Sequence, residues 1–237
     1  MANRIIYFIT LIGILIGSSL TAQEKKSLNG SDEKIKGIRF IPYSGYSGSP
    51  FLTDKFCPGK IEFMDGNKVE NIQLHFSTYR DEIIYFNQAI STQITIDKIS
   101  LKGFAFTDEI GKKRIFRKQY YNGFSPGDRY FEVLSDGDVS LLAYRKVILE
   151  LGSAYTNPEG RQLNMTYQQA YNYYFYSPEK GYDLVRITKS SLLSKFDKPT
   201  QKLVRKLLRK NNISFDTEAD FVGAWNLIKE NGIKLNH

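Results

Sequence analysis

The stretch YFEVLSDGDVSLLAYRKVILEL, residues 130–151, constrains the fold most, because two apolar runs rich in strand-forming residues flank Asp136 and Gly137. An Asp-Gly pair between alternating apolar residues is the strongest short-range signal for a β-hairpin. Phe131 and Val133 share one face of the first strand, so the hairpin can bury one side and expose the other. An isolated hairpin is at best marginally stable in water, and this one must therefore pair with further strands or a helix.

The segment before this hairpin supplies such strands. Short apolar runs separated by turn residues recur over residues 60–121, and the 16 Tyr and 16 Phe of the chain favour sheet over helix. Val69 is out of phase with the apolar residues that follow it, which predicts a β-bulge near Glu70 and Asn71. We predict a mainly β (α+β) protein whose β domain, residues 60–188, is a curled antiparallel meander, either barrel-like or a sandwich.

Two further segments complete the predicted β domain. Residues 152–169 are mostly polar and predict a long loop that leaves the sheet, with a turn at residues 157–160. A second hairpin follows, in which residues 178–181 form the turn between two aromatic strands. This second hairpin is the most tyrosine-rich part of the chain.

The hydrophobic period changes from strand-like to helix-like in residues 189–237. Asp197 is a suitable N-cap for a first helix, and a second helix is predicted to start after Asp216. Both helices are short and amphipathic, so we expect a two-helix hairpin packed on the sheet. The apolar stripes are Leu203, Val204, Leu207 and Leu208 in the first helix and Phe221, Ala224, Trp225 and Ile228 in the second.

The N-terminal residues predict export. Residues 1–23 combine Arg4, an apolar run and a small polar segment, which is the pattern of a secretory signal peptide. The apolar run is shorter than the about 20 residues of a membrane-spanning helix, so an uncleaved anchor is the less favoured alternative. We predict a periplasmic or outer-membrane-associated protein without a transmembrane segment once the signal is removed. Residues 24–36 predict a flexible linker and residues 37–59 an extended arm. The aromatic residues expected to pin the arm are Phe40, Tyr43, Tyr46 and Phe51.

The formal net charge of +8 is concentrated in one segment. Residues 189–212 hold eight basic residues and one acid, and Arg4 adds one charge, so the remaining residues sum to zero. A positive field over the whole protein is therefore absent, and we predict no nucleic-acid partner.

The segment GSPFLTDKFCPGKIEFMDG, followed by a β-rich middle and a basic helical C-terminus, resembles a group of exported proteins of Bacteroidota-type cell envelopes that lack an assigned activity. The matching positions are Gly48, Ser49, Pro50, Phe51, Leu52, Asp54, Phe56 and Gly59. The resemblance covers the plan of most of the mature chain, and it implies an exported β-rich domain that this segment opens. It assigns no catalytic residue, and Cys57 stands where the group is expected to have a more ordinary residue.

The sequence offers few residues for catalysis. A nucleophilic dyad of Cys57 and His75 is conceivable, but His75 lies on the strand face opposite Ile72 and is predicted to face solvent. Cys57 is more simply a small buried residue, and with so few His and Cys residues a metal site is not expected. Asp136 and Asp138 flank a turn glycine, where Asp is favoured for its geometry. We therefore predict no enzyme activity, no catalytic residue, no metal and no cofactor.

Two surfaces are candidates for binding. Tyrosine rings along a sheet face can contact sugars or a protein, and the basic face of the first helix can contact anionic lipid, glycan or an acidic partner. The alternatives are that the rings are shared between the core and the sheet edge, and that the basic face is only solvated. The candidate binding residues are Tyr171, Tyr173, Tyr174, Tyr176, Tyr182, Lys202, Arg205, Lys206 and Arg209.

These observations lead to a hypothesis of a non-enzymatic interaction module that binds another envelope protein through the arm, a sheet edge or the tyrosine-rich hairpin. The alternative hypotheses are a lipocalin-like carrier that holds a small apolar ligand in an aromatic interior, or a glycan-binding protein. An enzyme acting on glycan or peptide is the third hypothesis, and it requires a deep cleft with convergent carboxylates.

Overall fold

The computed structural model describes residues 35–43, 45–123, 125–157 and 160–235, and at residues 153–157 and 160–163 it describes the backbone alone. The predicted signal peptide, residues 1–23, and most of the predicted linker lie outside the described residues. Within the described ranges, no helix combines the length and the apolar character that crossing a bilayer requires.

The described residues form a mainly β fold with an antiparallel main sheet, as the sequence predicts. Eleven strands make up this sheet, in the order β1-β5-β4-β3-β2-β6-β7-β8-β9-β12-β13, so it is open, with β1 and β13 at its edges. The strands are β1 (Gly37–Arg39), β2 (Cys57–Phe63), β3 (Lys68–Ser77), β4 (Glu82–Asn87), β5 (Thr92–Ile96), β6 (Leu101–Thr107), β7 (Lys113–Tyr121), β8 (Gly127–Ser135), β9 (Ser140–Tyr144), β12 (Asn172–Ser177) and β13 (Gly181–Val185).

The main sheet curls around an aromatic core on one face, which we call the inner face. The rings of Phe76 on β3 and Tyr130 on β8 have centroids 6.0 Å apart, although three other strands lie between β3 and β8 in the sheet. In a flat sheet such strands would lie about 19 Å apart, at about 4.8 Å per step. Phe104 and Phe116 fill the space between them, with a centroid distance of 4.7 Å. The predicted bulge is also present, because Asn71 has φ 59° where the β2–β3 register shifts.

A separate hairpin replaces the loop predicted for residues 152–169. Strands β10 (Val147–Asn157) and β11 (Gly160–Gln169) pair with each other in a two-stranded sheet. The loop prediction was wrong because residues 152–169, which include the second half of β10 and all of β11, are mostly polar and hide the alternation. The base of the hairpin is held by a bridge between Ser47 and Thr166 and by the Val147 N–H, which donates to the Thr78 carbonyl at 3.2 Å.

Three helices follow the sheet, whereas the sequence predicts two. The unpredicted helix α1 (Lys189–Leu193) is only five residues long. The predicted helices are α2 (Lys198–Lys210), capped by Asp197, and α3 (Glu218–Glu230), whose N-cap Thr217 forms a capping box. The helices cover the inner face at the β9–β12–β13 end of the sheet, where their buried residues form a second core. Leu203 departs from the predicted stripe, since it is 61% exposed.

The predicted arm, residues 37–59, contributes β1 and the start of β2 to the main sheet, and its aromatic residues in between contact that sheet. The Tyr43 ring contacts Phe40, Phe51 and Tyr79 at centroid distances of 5.4, 5.6 and 5.9 Å. The Tyr43 hydroxyl donates to Ser77 Oγ at 2.7 Å. The arm therefore uses most of these rings for contacts within the chain.

Candidate functional site

The Cys57 and His75 side chains lie on opposite faces of the sheet, so they form no dyad. Cys57 is buried in the inner core opposite Leu74, its partner across the β2–β3 pair. His75 is the next residue on β3 and points to the other face. The prediction that His75 faces solvent was wrong, because the arm covers it and leaves 8% of it exposed.

The imidazole of His75 is held by the arm on two sides. Its ring stacks on Phe51 at 3.9 Å, and its Nε2–H donates to the Thr53 carbonyl at 2.9 Å. Burial lowers the pKa of His75 despite that hydrogen bond, and burial raises the pKa of the Cys57 thiol. Both groups are therefore held in their neutral forms, as structural residues are.

The predicted tyrosines divide between the two faces of the sheet, because neighbouring residues of a strand point in opposite directions. Tyr173 lies on the inner face, where its hydroxyl donates to Glu218 at 2.9 Å. Tyr171 is close by, since the Arg145 guanidinium lies 4.8 Å from its ring centroid. Tyr174 and Tyr176 belong to the opposite, outer face.

The outer face carries a set of packed aromatic rings at the β7–β8–β9–β12–β13 end of the sheet. We call it the tyrosine strip, and it comprises Tyr121, Phe131, Tyr144, Tyr174, Tyr176 and Tyr182. Tyr182 is its centre, with ring centroids 4.7 Å from Tyr176, 5.0 Å from Phe131 and 5.2 Å from Tyr121. Tyr121, Tyr144, Tyr176 and Tyr182 are half-buried, so these four residues of the strip are partly open to solvent.

The predicted basic residues of α2 lie apart from the tyrosine strip. Lys202, Arg205, Lys206 and Arg209 are all exposed. Helix α2 buries Val204 and Leu208 in the second core, which covers the inner face of the sheet. The structure therefore does not unite the two groups of predicted binding residues in one site.

A chain of ion pairs crosses the inner face between the two cores, and sequence analysis did not find it. Arg114 Nε contacts Asp108 at 2.9 Å, and its Nη1 contacts Glu132 at 3.1 Å. Arg145 Nε contacts Glu132 at 2.5 Å, and its two terminal nitrogens contact Glu218 at 2.6 and 2.9 Å. Because Glu218 is the first residue of α3, this chain ties that helix to the sheet.

The charges in this chain hold one another ionised. Burial alone would lower the pKa of Arg145, but the hydrogen bond with Glu218 and the charge of Glu132 outweigh it and raise the pKa. Burial alone would raise the pKa of Glu218, but the hydrogen bonds and charge of Arg145 lower it to about 2. Burial and the nearby Glu218 charge raise the pKa of Tyr173 to about 12. The arrangement is a structural clamp, since every one of these groups is engaged by another.

The outer face also has a groove of about 610 Å³ over β2, β6 and β7. A second hollow of about 270 Å³ shares Lys60, Ala105 and Lys113 with it, so the two are continuous. We call the combined feature the cationic groove. The cations whose side chains belong to this face are Lys60, Lys68, Lys102, Lys113 and Arg117, and the lining carboxylates are Glu62 and Glu70. The Lys118 ammonium points away from the groove and donates to the Lys98 and Ile99 carbonyls at 2.8 and 3.0 Å.

Three carboxylates of the chain already form ion pairs with cations of this groove. Arg117 forms a two-pronged pair with Asp136 at 3.0 and 2.5 Å, which lowers the pKa of that carboxyl to about 2. Lys102 contacts Glu62 at 2.8 Å, and Lys60 contacts Glu70 at 3.3 Å. Within the part of the chain that the structure describes, the ammonium groups of Lys68 and Lys113 have no ion-pair partner.

The cationic groove and the tyrosine strip adjoin. Gln119 lines the groove and accepts a hydrogen bond from the Tyr182 hydroxyl at 3.0 Å. Gln119 and Tyr121 are two residues apart on β7 and so point to the same face. The outer face is therefore one surface with a cationic half and an aromatic half.

No metal centre is evident on either face, because the described residues contain no group of three or more His, Cys, Asp or Glu side chains placed to hold an ion. The ion-paired carboxylates of the inner face are engaged by arginines, so they do not converge on an open cleft. Comparison of the chain with protein-family models, characterised proteins and solved structures finds no match.

Proposed function

We propose that this protein is a non-enzymatic contact protein of the cell envelope, and that it binds another envelope protein through the outer face of its main sheet. The observation that carries the proposal is the adjacency of the cationic groove and the tyrosine strip on a face that no helix covers among the described residues. Half-buried tyrosines are typical of protein interfaces, which are enriched in aromatic residues and arginine.

The packing of the inner face favours this proposal over a carrier. A carrier needs an apolar chamber, but Phe76, Phe104, Phe116 and Tyr130 occupy the interior of the curl with centroid distances of 4.7–6.0 Å. Rings at these distances are in direct contact. Side chains rather than space therefore fill the centre of the curl.

The contacts of the tyrosine strip also favour protein binding over sugar stacking. Sugar rings stack on an open aromatic face, but Tyr182 already lies against Phe131 at 5.0 Å with an interplanar angle of 26°. The hydroxyl groups of Tyr121 and Tyr174 are 3.3 Å apart and bond each other. Ring edges are then the groups left for a partner, and these suit an irregular protein surface.

Site-specific photo-crosslinking in cells of the native host tests the proposal. A photoreactive phenylalanine replaces Tyr176 in the strip and, as a matched control, Leu203, which is exposed on α2. We expect one crosslinked protein from position 176 that mass spectrometry identifies reproducibly and that excess unlabelled wild-type protein displaces. The same bands from both positions, or no band from position 176, would contradict the proposal.

A further inference from the structure

We infer that the cationic groove binds an extended acidic peptide segment in which carboxylate side chains alternate with aliphatic ones. This inference rests on the proposed function, because it specifies the part of the partner protein that the outer face contacts. It concerns the cationic half of that face, which the tyrosine strip does not include.

The charge of the groove selects a carboxylate ligand. Five cations against the lining carboxylates Glu62 and Glu70 give the groove a positive balance, although the chain outside residues 189–212 is neutral in sum apart from Arg4. The chain's own Glu62, Glu70 and Asp136 occupy three of those cations, so the groove demonstrably accepts carboxylates. Lys68 and Lys113, which lack an ion-pair partner among the described residues, are the cations that a ligand would neutralise.

The floor of the groove is aliphatic and nearly flat. Gly103, Ala105 and Ile115 form its centre, and the Ile115 side chain is 40% exposed there. A side chain at Gly103 would collide with the Phe116 carbonyl oxygen, since a Cβ there would lie 2.4 Å from it. No side chain therefore rises from the groove floor at Gly103, and a ligand backbone can approach the sheet closely there.

The spacing of the groove matches an extended chain. Lys113, Ile115, Arg117 and Gln119 all line it and follow one another at two-residue intervals along β7. Residues two apart on an extended chain are about 6.6 Å apart, so a peptide lying along β7 presents side chains at the same interval. From Lys113 to Gln119 the groove spans about 20 Å, the length of about six extended residues.

The lining favours a peptide over an anionic glycan. Sugar recognition uses open aromatic faces, but the two rings in the lining, Phe104 and Phe116, are 3% and 1% exposed and belong to the inner core. Four of the five cations are lysines, which act as point charges, whereas arginine forks favour phosphate and sulfate. Aliphatic side chains of a peptide fit the Ile115 floor, while its carboxylates can pair with the lysines that line the groove.

Fluorescence anisotropy with a defined peptide tests the inference. The probe is a fluorescein-labelled decapeptide of alternating Glu and Val, and the control has the same composition as five Glu followed by five Val. We expect the alternating peptide to bind the purified protein at least about fivefold more tightly, because only its spacing matches the groove, and to weaken as salt is raised. Equal affinity for the two peptides would overturn the role of spacing.

Matched variants locate the site. Lys68→Gln with Lys113→Gln removes two exposed cations from the groove and is expected to weaken binding about fivefold. Lys198→Gln with Lys210→Gln makes the same change of net charge at exposed positions of α2 and is expected to change affinity less than about twofold. Ile115→Glu places a carboxylate on the floor and is expected to abolish measurable binding. Equal losses from the two lysine pairs would overturn the location.

A third probe separates the ligand classes. Polygalacturonate of matched charge presents carboxylates on a sugar chain, and we expect it to bind more weakly than the alternating peptide. Tighter binding of polygalacturonate would show that the groove takes an anionic glycan, which overturns the inference. Failure of the peptide while position 176 still crosslinks to a partner would reject this inference and leave the proposed function intact.

Discussion

The inner and outer faces of the main sheet differ most clearly along β7, whose side chains alternate between them. Phe116 is 1% exposed and stacks on Phe104, whereas its neighbour Ile115 is 40% exposed on the floor of the cationic groove. The same contrast holds for charge, because Arg114 belongs to the buried clamp and Arg117 to the groove. One strand thus contributes to the stability of the fold on one side and to a contact surface on the other.

This difference shows how the sheet separates two tasks. On the inner face, rings pack on one another and charges are paired, so substitutions there are expected to change stability. On the outer face, cations and hydroxyls are only partly satisfied, so substitutions there are expected to change binding. The separation can be tested with pairs of substitutions that are alike in chemistry and differ in the face that they affect.

The largest expected difference is between Phe116→Ala and Ile115→Ala. Phe116 contacts Phe76, Phe104 and Phe106, and truncating such a ring leaves a cavity that costs about 4 kcal/mol of unfolding free energy. Ile115→Ala is expected to cost about 1 kcal/mol or less, because the side chain is largely open to solvent. Urea denaturation measures both values. Equal losses would show that Ile115 is packed in the folded protein and that the groove is not open.

The sequence predicted those parts of the fold that depend on local patterns. The Asp136-Gly137 hairpin, the bulge at Asn71 and the Asp197 helix cap each follow from a few neighbouring residues, and the structure has all three. It did not predict the β10–β11 hairpin, because polar strands lack the alternation that identifies a half-buried strand. It also placed His75 in solvent, since the arm that covers His75 lies more than 20 residues away in the sequence.

The candidate site was less predictable than the fold. Alternation along β12 indicated that neighbouring tyrosines separate, and the structure places Tyr173 and Tyr174 on opposite faces. The cationic groove escaped prediction because its lysines come from β2, β3, β6 and β7, and nearby acids cancel them in any count along the chain. The one available signal was the two-residue spacing of Lys113, Ile115, Arg117 and Gln119 within a single strand.

The second test of the difference between the two faces compares substitutions of an inner-face and an outer-face arginine. Arg145→Ala leaves the buried carboxylates of Glu132 and Glu218 without their main partner, which is expected to cost about 3 kcal/mol of unfolding free energy. Arg117→Ala removes an equally direct contact with Asp136, but both partners are about half exposed, so a loss of about 0.5 kcal/mol is expected. Chemical denaturation at neutral pH measures both. Similar losses would show that the inner clamp is hydrated rather than buried.

The third test, with the smallest expected effect, is the loss of stability in acid. Glu218 and Asp136 both have a pKa of about 2, but 22% of the Glu218 side chain and 55% of the Asp136 side chain are exposed. The unfolded pKa of Glu218 is 4.5, so below that pH the unfolded chain binds a proton that the folded protein does not. The stabilisation from Glu218 is therefore complete above about pH 4.5 and is lost as the pH falls towards about 2. The expected loss is about 2 kcal/mol of unfolding free energy.

Carboxamide variants assign this pH dependence to one face. Glu218→Gln is expected to reduce the fall in stability between pH 4.5 and 2, since it removes a carboxyl group of the clamp whose pKa is lowered to about 2. Asp136→Asn is expected to leave most of the fall in place, because solvent screens its exposed pair with Arg117. Denaturation midpoints measured at several acidic pH values compare the two. If Asp136→Asn flattened the curve more than Glu218→Gln, the stabilising charges would lie on the outer face, and the division of tasks between the faces would be wrong.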